Sequence, residues 1–463
     1  IINIFSLRQV VLVMLSTKDM LVLGMMVFAL FLGAGNIIFP PMAGFQSGNQ
    51  WFSTSLGFLV TGVLLPFLTL VTVAIRGRGE RLSIDLPSWF AVLFWIALYL
   101  IVGSTFAMPR VTNTAYEMGF LPLGLIEKNT TTHLTFALIF NLLSMFFMLK
   151  QGTMISAIGK FMTPALLILL VVVGIAVVAK PLSPIEEPTG LYAVNGFFSG
   201  IIDGYQTMDV LSAMAFGGIV ARALYTKGIT NPKQIGFITI KAGMISVLLL
   251  AALYLCLFYL GATSHAVSVF ADPALNATNG GQIFSRYVDA LFGSVGTWLM
   301  GGIVLLASMT TLVGVTSAAA DYFATFHHRL GYRFWVVVFT LLTTLVSTFG
   351  LDTLLRVTIP ALLMIYPTSV TLVLLQFVRH KLKSPRFTYR FTICVIVLMS
   401  LLDTLKQLKW LNGDLLQLFS YIPLSEYGLG WLLPGIIAFA ISLLISLSFK
   451  ETDTEIATPN TVK

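Results

Sequence analysis

Four residues in one apolar run, Gly33, Ala34, Gly35 and Asn36, and a short segment in another, Gly204 to Asp209, are of types that bind rather than react. The first group lies in FLGAGNIIFPP, residues 31–41, where two glycines, an amide side chain and two prolines interrupt a stretch that otherwise reads as helix. Glycine costs about 1 kcal/mol in a helix interior and proline about 3. In hydrocarbon, each unpaired backbone group costs several kcal/mol more. Such a break persists only where a neighbouring helix, water or a bound solute satisfies the freed groups. Close helix packing through small residues is the competing reading. The second group lies in SGIIDGYQTMDV, residues 199–210, where Gly200, Asp203, Gly204, Gln206 and Asp209 interrupt an apolar span that also carries Tyr205, Thr207 and Met208. An acid inside a membrane span marks a functional site by default.

The chemistry of two such breaks fits a zwitterion. Half-helix N-termini present free N–H groups and a positive dipole end, which suit a carboxylate. Half-helix C-termini present free carbonyls, which suit an ammonium group or a hard cation. An amino acid could be held by its α-groups without any charged side chain. Phe31, Leu32, Ile37, Phe39, Met208 and Val210 crowd the breaks and would line an apolar side-chain pocket. Thr310 and Thr311 are adjacent hydroxyls in a third apolar run. Membrane threonines commonly bond back to their own helix. Beside a broken helix, the same pair plus exposed carbonyls makes a neutral oxygen cage for sodium.

The elements that must carry these residues are membrane helices. Of 463 residues, 57% are hydrophobic and 10% charged, and mean hydropathy is +0.92. Soluble domains carry about 25% charged residues, so the bilayer is the solvent of this chain. Spans of about 20 apolar residues are predicted near 20–44, 51–75, 89–108, 133–149, 155–179, 196–221, 235–261, 292–321, 334–350, 353–378, 388–407 and 430–449. With the N-terminus inside, most of the 27 Lys and Arg fall in inner loops, as the positive-inside rule requires. Arg110 is among the few assigned to the outer side. The net charge of +8 therefore sets topology and does not call for nucleic acid. The even span count puts both termini in the cytoplasm. Residues 1–15, which precede and include the approach to a plausible start at Met14, are read as an upstream extension, and 451–463 as a disordered tail. The Pro-rich segment 180–190 divides a first set of five helices from a second. Cys256 and Cys394 form neither a disulfide framework nor a zinc motif. There is no phosphate-binding G-x-x-x-x-G-K-[ST] loop, no H-E-x-x-H and no G-x-S-x-G, so neither ATP hydrolysis nor enzyme chemistry is expected.

An interrupted first helix and an interrupted sixth, at matching places in two halves, point to a transporter of inverted repeats. MVFALFLGAGNIIFPP (26–41), GYQTMD (204–209) and MTTLVGVTSAAADYF (309–323) together resemble the branched-chain amino acid:cation symporter family, bacterial carriers of leucine, isoleucine and valine. The resemblance spans the chain from Met14. It implies an all-α integral membrane protein of about twelve helices with a leucine-transporter-like fold. That fold has a five-plus-five inverted repeat, 16–180 and 190–380, followed by two extra helices within 386–450. It further implies that the amides of Ala34 and Gly35 hold the substrate carboxylate. The carbonyls of Ala29 and Leu32, with Ala307, Thr310 and Thr311, would face sodium. No organic cofactor is implied, and the location is the bacterial inner membrane.

The expected function is thus a sodium symporter importing branched-chain amino acids. The alternative is proton coupling through Asp203, Asp209 or Asp321. A channel would need symmetric rings of charge or carbonyls, and an enzyme a convergent catalytic set. Neither pattern is found in the sequence.

Overall fold

The computed structural model describes residues 15–124, 129–149, 163–272, 276–327 and 329–446. Except for Leu15, the expected upstream extension lies outside the described residues. So do the expected tail and the first part of the predicted fifth span. Every regular element among the described residues is helical. The chain forms two compact units, the described parts of Ile1–Gly79 with Val102–Leu354, and of Glu80–Ile101 with Leu355–Lys463. Among the described residues, seven helices are long and apolar enough to cross a membrane. An eighth is the bent pair Leu191–Tyr205 and Asp209–Tyr225.

In the first unit, α1 (Thr17–Phe31) opens where Ser16 accepts from the Asp19 N–H, a regular N-cap. It stops at Leu32, and α2 (Ala34–Ser47) starts from Gly33. Then α3 (Trp51–Leu59) and α4 (Leu65–Arg76) follow as one run broken only by a π turn at Val60–Leu64. The next run covers Ser88–Leu123. It contains α5 (Ser88–Leu100), which belongs to the second unit, and α6 (Ala107–Thr114), which belongs to the first. Between them the backbone leaves helical geometry at Gly103, with φ −87° and ψ −127°. The run thus carries a third interruption and continues well past the span end expected near 108. After α7 (Thr130–Leu149) and α8 (Thr163–Ala179) come α9 (Leu191–Tyr205) and α10 (Asp209–Tyr225), joined at a 45° bend. Next are α11 (Pro232–Ala262), capped by Asn231, α12 (Gly280–Phe292), α13 (Ser294–Phe323) and α14 (Tyr332–Ser347).

The two broken runs pack with their neighbours as a group: α9 lies on α3, α10 on α4, and both α1 and α2 on α11. Glycine permits these approaches. A Cβ on Gly57 would sit 1.9 Å from the Phe197 carbonyl oxygen, and one on Gly200 2.0 Å from that of Thr54. Thr61 Oγ1 donates across the same contact to the Ile201 carbonyl at 2.8 Å. The sequence reading treated Gly200 and Gly204 as interruptions. Instead both lie inside α9 as close-packing residues, and the backbone leaves helical geometry before them, at Asn195, and after them, at 206–208.

In the second unit, α15 (Leu351–Val378) begins in the first unit and continues here, followed by α16 (Pro385–Gln407), the short α17 (Asp414–Ser420) and α18 (Leu432–Ser446). Arg379 holds Asp85 in a two-pronged ion pair, with Nε to Oδ2 at 2.7 Å and Nη2 to Oδ1 at 3.2 Å. α16 packs on α18.

Candidate functional site

The break between α1 and α2 occupies only Leu32 and Gly33. Leu32 N–H still reaches the Phe28 carbonyl at 2.8 Å, but Gly33 N–H turns to Phe31 O at 2.8 Å and to Asn36 Oδ1 at 2.9 Å. The carbonyls of Ala29 and Leu30, which Gly33 and Ala34 would have served in a continuous helix, lose their intrahelical donors. At the start of α2, Asn36 reaches back to the Gly33 N–H, as an amide side chain at the third helical position does in a capping box. The N–H groups of Ala34 and Gly35 are left among the free donors of the first turn.

The second break is made by Gln206, Thr207 and Met208. Their N–H groups bond three residues back, to Asp203, Gly204 and Tyr205, which tightens the end of α9 into 3₁₀ form. Met208 then adopts left-handed geometry, φ 61° and ψ 18°, before α10 begins at Asp209. A non-glycine residue pays about 1–2 kcal/mol for that conformation. Packing holds it there, since Met208 is 1% exposed.

The two breaks meet. Asn36 Nδ2 donates to Asp209 Oδ2 at 2.6 Å, across 173 residues of chain, and also to the hydroxyl of Tyr254 on α11. Tyr254 in turn donates to the same Asp209 oxygen at 3.5 Å. All three residues are buried. Gly33, Gly35 and Asn36 therefore share one buried centre with Asp209. Tyr205, Thr207 and Met208 are buried beside it along the chain, while Gln206 is half-buried and turns toward Asp203. Gly204 faces the π turn after α3, where a Cβ would meet Thr61 Oγ1 at 2.0 Å, and its carbonyl accepts from Thr207 Oγ1 at 2.8 Å.

One hydroxyl of the α13 pair, that of Thr311, also reaches this centre. A Cβ on Gly33 would lie 2.8 Å from Thr311 Oγ1, so Thr311 packs directly on the first break. Thr310 and Thr311 both donate to the Ala307 carbonyl, at 2.9 and 3.0 Å. Their protons are committed to their own helix, and what remains for a cation is oxygen lone pairs. Ala29, Leu32 and Ala307 are buried. Among the described residues, no cluster of three or more His, Cys, Asp or Glu could hold a metal. Of the other acids, Asp203 accepts from the Tyr192 hydroxyl at 2.9 Å, and Asp321 pairs with Arg222 at 3.4 Å.

Two residues of this centre escaped the sequence reading. Tyr254 sits in a plain apolar span and carries no local signal. Arg110 was assigned to an outer loop, but it lies inside α6 at 3% exposure, with its Cζ 5.0 Å from the centre of the Phe39 ring. An arginine within reach of a membrane span is itself a signal. It was discounted because the span was ended near 108.

Broken helices meeting at a buried polar point, in a multi-pass helical chain, define a membrane transporter. The fold agrees: a solved nucleobase-cation-symport-1 family transporter, Mhp1, in a closed conformation with bromovinylhydantoin bound, matches with a TM-score of 0.60 over 94% of both chains. At 13% identity, that likeness concerns the fold alone. The chain belongs to the branched-chain amino acid transport protein family, whose model it matches over residues 16–449. It is 58% identical to the branched-chain amino acid permease BrnQ of Haemophilus influenzae over 95% of this chain and 100% of that one. It is 36% identical to the branched-chain amino acid transport system 3 carrier protein of Pseudomonas aeruginosa, over 93% and 97%. The relatives are named as permeases and carriers, not enzymes.

Proposed function

We propose that this chain imports leucine, isoleucine and valine across the bacterial inner membrane by sodium symport. The observation that carries the reading is the Asn36–Asp209 bridge, which joins two helix interruptions from distant parts of the chain at one buried centre. Gly33, Ala34, Gly35 and Asn36 on one side, and the segment Gly204 to Asp209 on the other, would surround the amino acid. The free amides of Ala34 and Gly35 suit its carboxylate. Ala29, Leu32, Ala307, Thr310 and Thr311 would hold sodium through carbonyl and hydroxyl oxygens, the hard ligands that a hard cation prefers. The names of the relatives support the substrate class.

In this reading the chain has twelve spans, with both termini cytoplasmic. Five-plus-five inverted repeats, 16–180 and 190–380, enclose the site, and two further helices lie within 386–450. The group formed by α1, α2, α3, α4, α9, α10 and α11 would rock against the remainder to open the site to either side. Each sodium entering gains about 2.3 kcal/mol per 100 mV of membrane potential. Binding of sodium and of solute reinforce one another by linkage.

Proton coupling is the second reading, favoured by one fact: Asp209 is buried at the junction of the breaks. Uptake of radiolabelled leucine into proteoliposomes under imposed gradients separates the two. An inward sodium gradient at fixed pH is expected to drive accumulation that valine and isoleucine compete away. Accumulation driven by a proton gradient without sodium selects the second reading. Failure of all three amino acids to enter or compete rejects the substrate class.

A further inference from the structure

Arg110 is a charged component of the buried centre that the functional reading leaves unused. Its guanidinium is enclosed, yet Nε and Nη1 have no hydrogen-bond partner. Arginine keeps its charge in proteins, and an uncompensated buried charge costs several kcal/mol. The Phe39 ring, with its centre 5.0 Å from Cζ, offsets only part of that. Asp209 is close enough to act on it electrostatically, but the two form no direct ion pair. The carboxylate of Asp209 is turned instead to Asn36 and Tyr254.

The placement of the guanidinium is specific. Its Nη2 would lie 3.0 Å from a Cβ on Gly35, so it rests against the first turn of α2, where the helix amides are free. Gly35 is the residue that permits this approach, since any side chain there would press on the guanidinium. The position depends on the non-helical backbone at Gly103 and Phe106 just before α6, which sets the direction of that helix.

We infer that Arg110 is the carboxylate anchor of the substrate site, presenting one edge of its guanidinium, the unpartnered Nε with the adjacent Nη2 that rests on the first turn of α2, to the same α-carboxylate that meets the first-turn amides of that helix. A planar guanidinium matches a carboxylate with two parallel hydrogen bonds, which a lysine ammonium does not. The site then binds a dipolar solute between fixed charges of opposite sign, Arg110 at the carboxylate end and Asp209 beyond it, and adds no net charge. It selects for a free α-carboxylate. The inference rests on the transport reading above and extends it.

The test compares leucine with leucinol, which keeps the ammonium group and the side chain but lacks the carboxylate. Affinities are read from the thermal stabilisation of the purified full chain in detergent with saturating sodium. Wild-type protein is expected to prefer leucine by about 100-fold or more, because leucinol leaves buried donors unpaired. In Arg110→Gln the preference falls below about fivefold, chiefly through weaker leucine binding, and Arg110→Lys lies between. A wild-type protein that binds both equally overturns the inference, as does an Arg110→Gln variant that keeps the wild-type preference. Should Arg110→Gln not fold, the wild-type ratio and Arg110→Lys decide in the same way, an unchanged ratio in the lysine variant counting against the anchor. A folded wild-type protein that binds neither compound overturns the transport reading together with this one.

Discussion

Asn36 is the residue on which the centre turns. Its side-chain oxygen accepts from Gly33 N–H and its nitrogen donates to both Asp209 and Tyr254. Removing it leaves Gly33 N–H with the Phe31 carbonyl alone and the buried Asp209 oxygen with only the long bond from Tyr254, a loss of about 1–3 kcal/mol. Asn36→Ala is therefore expected to lower leucine uptake at least tenfold and to lower the melting temperature in detergent by several degrees. Uptake at the wild-type rate would mean that the bridge is incidental. The apolar residues around the breaks act differently. Phe31 packs edge-on against Phe216 at 5.5 Å, and Leu32 and Val210 are fully buried. They exclude water, which strengthens every polar contact within.

Helix contacts here are set by glycine. Between α3 and α9, Gly57 and Gly200 bring backbone against backbone, a small-residue interface of the kind membrane helices use. A methyl at Gly200 has no space, because the Thr54 carbonyl oxygen lies 2.0 Å from where it would go. Gly200→Ala is expected to push α9 from α3, cutting uptake and destabilising the protein by about 1–3 kcal/mol, the usual cost of overpacking. Gly331→Ala provides the contrast, since nothing lies within 4 Å of that position and its φ is −73°. That variant should match wild type in both measurements. Equal behaviour of the two variants would show that backbone approach does not limit this contact. Around α10, Lys227, just past its end, pairs with Asp19 of α1 at 2.6 Å, and Arg222 in its last turn pairs with Asp321 of α13 at 3.4 Å. These exposed pairs are screened by water and add little to stability. Such weak ties can part during a conformational cycle.

For the molecule as a carrier, ion and solute must bias the same equilibrium. Thr311 lies on the first break and Asn36 ties that break to the second, so a sodium ion in the proposed cage would touch the same structure that is proposed to hold the solute. Linkage requires the coupling to be reciprocal. Replacing Thr310 and Thr311 together by Ala should raise the sodium concentration for half-maximal uptake at least tenfold. Leucine affinity at saturating sodium should stay within about threefold of wild type. An unchanged sodium requirement would remove the proposed cage, and a loss of leucine binding at every sodium concentration would place the threonines in the solute site.

Much of this organisation is written along the chain. Composition places the molecule in the bilayer, because a chain with 10% charged residues cannot clothe a water-facing surface. The break at Leu32 and Gly33 is legible because helix interruption is a local matter of glycine and a competing amide; Pro40 and Pro41, read from the sequence as part of it, lie inside α2 instead. The same locality misled the reading of Gly200 and Gly204. A glycine that loosens a helix and one that admits a neighbour look alike until the neighbour is seen, and here Thr54 and Thr61 are that neighbour. Arg110 was hidden for a related reason. A length rule ends a span where polar residues begin, but α6 carries Arg110, Thr112, Asn113 and Thr114 in full burial, sheltered by other helices. Its place beside Phe39, and the meeting of Asn36 with Asp209 and Tyr254, depend on distances in space between residues far apart in the chain. No periodicity records those distances, and packing alone sets them.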